Sequence, residues 1–254
     1  MLTNIRYILL TAIRDWLFLA LFLGVIGAAS ISATLGGTAL LEPAQMILTF
    51  SAASSRVILM VGLIVFVCFH IRHAFDSREI DVLLSRPISR ANLVVSFWLG
   101  FILVASLLVI PTVGVIYWIG ILNGKGFAAW AVSLLMESYL VITIAMFAAL
   151  TLRSAVFSVM GSLAIYTMSR MIGFFVATTD SGMLFSNTII NTIVRGSMDV
   201  ISVVIPRLDF FAKSHWLIYG LKSTQDVVLF VQQGVIFIPL LLAAAIIDFR
   251  RKQF

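Results

Sequence analysis

Residues 91–124 read ANLVVSFWLGFILVASLLVIPTVGVIYWIGILNG and contain no charged side chain. A surface helix of a soluble domain keeps a polar face toward water, and this stretch has none to offer. A membrane-crossing helix needs ~20 mostly apolar residues, which the run exceeds. The rest of the chain agrees. Of 254 residues, 61% are apolar and 11% charged, and the mean hydropathy is +1.12. Soluble domains have ~45–50% apolar and ~25% charged residues. Such a chain lacks the charge to cover a soluble surface, which excludes a soluble enzyme, a disordered tail and a disulfide scaffold. Cys68 is the sole cysteine, so no intramolecular disulfide forms.

Working outward from this run, five further spans emerge. Upstream lie residues 16–35 and a second span centred on 57–71, which is short unless it extends beyond Arg56 or His70. Downstream lie residues 128–152 with Glu137 inside, 154–176 with Arg170 inside, and 227–247 between Asp226 and Asp248. The central run is longer than one crossing and holds Pro111, so a kinked or overhanging helix is expected. The fold class is therefore all-α integral membrane with six spans, both termini on one side, and a single domain over 1–254. The first span is too long, and too far from the start, for a signal-peptide core, and reads as an uncleaved anchor. Before it, Leu2, Ile5, Leu9, Ala12, Ile13 and Trp16 recur at helical spacing opposite Thr3, Asn4, Thr11, Arg14 and Asp15. This stripe over 1–15 predicts a helix lying in the interface.

The net charge of +6, from 17 Lys and Arg against 11 Asp and Glu, follows the positive-inside rule without any need for nucleic acid. With the termini cytoplasmic, Arg6, Arg14, Arg72, Arg78, Arg86, Arg90, Arg153, Arg250, Arg251 and Lys252 fall inside. Of the remaining seven, only Arg56 and Lys125 belong to short outer loops, and the rest flank or occupy the long segment after span five. Residues in long loops bear less on orientation.

The densest charge is at 72–90, RHAFDSREIDVLLSRPISR, between spans two and three. Pro87 breaks one helix there, and Ser89 is placed to cap the next. The sequence Arg78-Glu79-Ile80-Asp81-Val82-Leu83-Leu84-Ser85-Arg86-Pro87-Ile88-Ser89-Arg90 resembles the cytoplasmic loop of ABC-2-type permeases, the membrane subunits of ATP-driven exporters. That loop has a Glu after span two, then a leucine pair, Ser-x-Pro, a small hydroxyl residue, an Arg and the third span. Where many members carry Gly-Thr between the Glu and the leucines, this chain has Ile80-Asp81-Val82.

The resemblance implies six spans with cytoplasmic termini in a cell (inner) membrane, an N-terminal interfacial helix, and an elaborated outer segment before span six. It implies a coupling helix at 72–90 seated on a separate ATPase subunit. Arg78, Glu79, Asp81, Arg86 and Arg90 would then make polar contacts across that interface, with Leu83 and Leu84 as apolar anchors and Pro87 as the turn. The implied complex pairs two ATPase copies, which hold ATP and magnesium, with a second permease copy or a related permease. This chain would hold no cofactor and be no enzyme itself. It lacks the P-loop pattern G-x-x-x-x-G-K-[ST]; the nearest fragment, Gly120-Ile-Leu-Asn-Gly-Lys-Gly126, has the wrong spacing. Two alternatives stay open: an ABC-type subunit that transmits force without moving a solute, and an intramembrane enzyme.

Three further groups of residues bear on chemistry. Glu137 and Arg170 are ionisable residues well inside spans four and five, which a tight turn at Arg153 makes antiparallel neighbours. At 1.5 Å per residue they sit ~21 Å and ~24 Å from that turn, so a buried pair is geometrically easy. A salt bridge locking the two spans outweighs a substrate or proton role. His70, His73 and Asp76 have helical spacing compatible with a metal, but Arg72 and Arg78 beside them disfavour a cation. Asp209, Ser214 and His215 lack any strained nucleophile turn that would make them a hydrolytic set.

The outer segment, 180–226, carries Met183, Leu184, Ile189, Ile190, Ile193, Val194, Ile201, Val204 and Ile205 at helical spacing. An amphipathic helix on the outer leaflet is expected, ended by Pro206. A second piece from Arg207 would then place Trp216 and Tyr219 at the interface.

Overall fold

The computed structural model describes residues 2–14, 16–37, 42–77, 80, 89–120, 124–180, 196–197, 201, 204–221 and 223–251. Among them there is no strand. The elements are α1 (Leu2–Arg14), α2 (Leu17–Gly37), α3 (Pro43–Asp76), α4 (Arg90–Ile119), α5 (Gly124–Thr151), α6 (Ala155–Asp180), a 3-10 turn (Leu208–Phe210), α7 (His215–Tyr219) and α8 (Thr224–Arg251). Six of these, α2 to α6 and α8, are long and apolar enough to cross a membrane.

Local chemistry sets several boundaries. Pro43 opens α3, where its fixed φ suits the first turn and its missing N–H is no loss. Helix α3 then runs for 34 residues, about 51 Å at 1.5 Å per residue. It begins well before residue 57, so Arg56 lies inside a helix and not in an outer loop. The sequence places a boundary there because a charge ordinarily marks the edge of a span. Ser89 caps α4, its Oγ accepting a hydrogen bond from the Asn92 N–H at 3.2 Å. Helix α4 continues through Pro111 and stops at Gly120. Pro239 is likewise inside α8. Neighbouring helices in a bundle make such prolines tolerable.

The bundle is built around α3 and α5, the most enclosed helices, with α2 along α3, α8 along α5, and α4 and α6 touching both. Helix association in lipid gains little from the hydrophobic effect, because the tails are as apolar as leucine. Close packing and polar contacts between helices carry it instead. Trp98 Nε1 donates to Thr143 Oγ1 at 2.9 Å, and the hydroxyls of Ser106 and Tyr139 are 2.8 Å apart, both joining α4 to α5. Interhelical bonds of this kind are worth about 0.6 kcal/mol each on average.

Helix α1 packs on α4 through Ile8 and Ala12, both fully buried, while Arg6, Tyr7, Leu10 and Arg14 are exposed. Gly100 makes room for it: a methyl group there would strike the Ile8 side chain at 2.6 Å. The first helix is thus fastened to the bundle along one face.

Candidate functional site

The polar centre of the bundle lies where α3, α5 and α6 meet residues 206–217. Helix α5 contributes Ser133 and Glu137, one turn apart on the same face, both with no exposed surface. Helix α3 contributes Arg56 and α6 contributes Arg170, whose side chains are 7% and 26% exposed. Arg170 Nη1 is 3.5 Å from Glu137 Oε1, and Arg56 Nε is 3.9 Å from Oε2. Two guanidinium groups therefore share one carboxylate, leaving a net charge of +1.

The rest of their bonding goes to the outer segment. Arg56 Nη2 donates to the Ala212 carbonyl and to Ser214 Oγ, the latter at 3.3 Å. Arg170 Nη1 donates to the carbonyls of Leu208 and Phe211, the latter at 3.1 Å. Ser133 Oγ accepts the Ala212 N–H at 2.9 Å. The segment needs these partners because its backbone leaves helical geometry while buried. Ala212 itself takes a left-handed φ of 42°, and Leu208, Phe211, Ala212, Trp216 and Leu217 have no exposed surface. Non-helical backbone at membrane depth persists only where protein groups satisfy its N–H and C=O groups. Here two arginines and a serine do so, and Glu137 offsets the charge the arginines bring in. Burying such ions is unfavourable unless their hydrogen bonds are made elsewhere too, and the segment's carbonyls supply them.

Further contacts fasten the segment on its other sides. Arg207 pairs with Asp209 at 2.9 Å and stacks over the Phe210 ring, while its N–H donates to Gln233 Oε1 of α8 at 3.2 Å. Lys213 pairs with Asp226 at 3.1 Å. Phe211 and Trp216 pack against Phe230 of α8 at ring distances of 5.9 and 6.0 Å. At Gly126 any side chain would collide with the Trp216 carbonyl and with Gly220 Cα at 2.8 Å, so glycine permits α5 and α7 to touch.

Trp216 is thus a core residue and not an interfacial one, whereas Tyr219 is 63% exposed. Of the expected amphipathic helix, the parts over 181–195, 198–200 and 202–203 lie outside the described residues. Of the coupling-loop set, Arg78, Glu79, Asp81, Leu83, Leu84, Arg86 and Pro87 also lie outside them. Arg90 starts α4, and its Nη1 donates to the Arg250 carbonyl at 3.2 Å, joining the beginning of α4 to the end of α8. Ile80 is buried with Ile71, Leu93, Val94, Phe97, Met146, Leu150 and Phe249 around a small apolar cavity.

The remaining sequence candidates separate. His70 is ringed by Tyr7, Phe66, Phe97 and Phe101 at 5.5–6.4 Å, His73 is exposed, and Asp76 pairs with Arg72 at 3.6 Å. Asp209 is engaged by Arg207, Ser214 accepts from Arg56, and His215 sits against Trp216. Neither trio converges on one point.

Arg56 is the residue that sequence reasoning missed. The available signal was the stretch after Pro43, where Met46, Ile47, Leu48 and Phe50 precede it with no other charge, so that a helix could begin a dozen residues earlier. Compared with models of known families and with curated proteins, the sequence matches none.

Proposed function

We propose that this chain is the membrane-spanning subunit of an ABC-2-type exporter, which couples ATP hydrolysis in a separate ATPase subunit to outward movement of a substrate. The observation that carries the reading is the sequence at 78–90, with Glu79, the Leu83-Leu84 pair and Ser85-Arg86-Pro87 ahead of Ser89-Arg90. The architecture supports it: six helices able to span, a separate α1 ahead of them, and before the last a docked segment with a 3-10 turn and the short α7. That segment touches the start of α5 at Gly126, at the opposite end of α4 from Arg90.

The working complex is two permease copies, or this chain and a related one, with two ATPase subunits that hold ATP and magnesium. The end of the bundle carrying Arg14, Arg72, Arg90, Arg153, Arg250 and Arg251 faces the cytoplasm of a cell whose inner membrane holds the protein. Closure of the ATPase pair pushes on the two 72–90 loops, and the spans rock between inward- and outward-facing arrangements. The coupling set is Arg78, Glu79, Asp81, Leu83, Leu84, Arg86, Pro87 and Arg90.

The test is co-expression with the ATPase encoded beside this chain, followed by capture on a tag carried by the permease. Retention of the ATPase by the wild type, lost or weakened in Glu79→Ala and Arg86→Ala, is the expected result. Failure of the wild type to retain any ATPase would return 72–90 to a charged turn between two spans.

A further inference from the structure

Where α5 hands over to α6, two arginines come together at the edge of the bundle. Arg72 belongs to the last turns of α3, and its Nη1 donates to the Leu152 carbonyl at 3.4 Å. That carbonyl belongs to the peptide bond that leads into Arg153, so the two side chains start from one place. The Arg72 guanidinium also lies over the Phe75 ring, 5.1 Å from its centroid, and Nη2 is 3.6 Å from Asp76 Oδ1. The Asp76 carboxylate is mostly exposed, and an ion pair of that kind adds little. Arg153 is exposed and makes no hydrogen bond or ion pair among the described residues.

Immediately beyond Arg153 the surface turns apolar. Val156, Phe157 and Met160 share one face of the first two turns of α6, and all three are more than half exposed. On a helix able to span, such a face meets acyl chains. Two cations therefore stand at the rim of an apolar wall, where headgroups give way to hydrocarbon.

We propose that Arg72 and Arg153 form the headgroup site of an anionic phospholipid whose acyl chains lie against Leu152, Val156, Phe157 and Met160. A phosphodiester accepts paired N–H bonds from a planar guanidinium, and these are stronger than bonds between neutral groups. It also neutralises the net charge of +1 that Arg72, Arg153 and Asp76 leave between them. Arg72 is pre-set for this, because the Leu152 carbonyl and the Phe75 ring already hold it, and less ordering remains to be paid on binding. A zwitterionic headgroup brings its own cation to the two arginines and gains less. A free phosphate ion offers the same oxygens without the apolar contact. The site requires neither an ATPase nor a transported substrate, so its test stands apart from that of the permease reading.

The full chain is purified in dodecylmaltoside, and its thermal unfolding is followed as dioleoylphosphatidylglycerol is titrated in. A ligand of the folded state raises the melting point with its concentration. A saturable rise is expected with this lipid, and none with dioleoylphosphatidylcholine or inorganic phosphate. Arg153→Gln melts like wild type without lipid, and its half-saturating concentration is about fivefold higher, the contribution of one basic residue at an anionic surface. Adding Arg72→Gln removes the rise, and if that double variant does not fold, Arg153→Gln alone decides. Arg14→Gln alters an exposed arginine carried by α1, which packs on α4, and titrates like wild type. An Arg153→Gln curve that overlays wild type overturns the site. An equal loss in Arg14→Gln also overturns it, by showing attraction to diffuse charge. An equal rise with phosphatidylcholine does the same, and so does one with inorganic phosphate, which would mark an anion site that takes no lipid.

Discussion

Arg56 shows how a single side chain can be misplaced by a sound rule. Charges usually bound a membrane span, and by that rule the second span starts after it. In the structure it sits within α3, 7% exposed, donating to the Ala212 carbonyl and facing Glu137. Removing it leaves Glu137 with Arg170 as its only cation and deprives the buried Ala212 carbonyl of its donor. Arg56→Gln is therefore expected to lower stability by about 3–5 kcal/mol, the range for breaking a buried pair by losing one partner. Lys125→Gln, at the end of a helix, should stay within about 0.5 kcal/mol. Thermal unfolding in detergent distinguishes the two, and equal melting of Arg56→Gln and wild type would dismiss Arg56 as a structural donor.

Glu137 and Arg170 were readable from the sequence as residues of similar depth on adjacent helices, and they lie 3.5 Å apart. Their other partners were not readable, because backbone carbonyls of a distant segment leave no trace in residue type. Glu137→Ala and Arg170→Ala should couple, with the double mutant departing from additivity by about 0.5–3 kcal/mol. The double mutant also stays well below wild type, since Arg56 then lies buried with no acid beside it. Additive melting losses would mean that the two residues act separately.

At the level of elements, the long apolar helices were legible because a bilayer requires uninterrupted runs, and charge-free runs are visible without an alignment. The outer segment was legible only in part. Trp216 near a chain boundary reads as an interfacial anchor, yet it is fully buried. Its burial depends on Gly126, some ninety positions earlier, having no side chain, and no local pattern encodes that. Gly126→Ala forces a methyl group into backbone that cannot rotate aside. A loss of about 1–3 kcal/mol is expected, accompanied by fluorescence showing Trp216 in a more polar setting; an unchanged spectrum and melting point would contradict the tight approach. A second contact of this kind holds α1. Gly100→Val should displace that helix, because the added atoms meet Ile8. Adding Ile8→Ala should restore protease resistance of the first fifteen residues, and equal digestion of single and double mutants would show that α1 is held elsewhere.

For the whole molecule, the two ends of the bundle differ in kind. One carries the docked segment with its arginines, and the other carries Arg14, Arg72, Arg90, Arg153, Arg250 and Arg251. Helix number and the loop's charge pattern were both in the sequence, because each rests on consecutive residues. The charged cluster joining α3, α5 and α6 to the outer segment was not, because it depends on how four separate stretches pack. The proposed exporter function rests on one contact above all, the one proposed between the 72–90 loop and an ATPase. The most direct measurement is photo-crosslinking in native membranes, with benzoylphenylalanine placed at Leu84 in one variant and at Lys125 in another. If the loop seats an ATPase in the cytoplasm, position 84 crosslinks to the ATPase encoded beside this chain, and position 125, at the opposite end, does not. Absence of that product at 84, or its appearance only at 125, would contradict both the partner and the orientation.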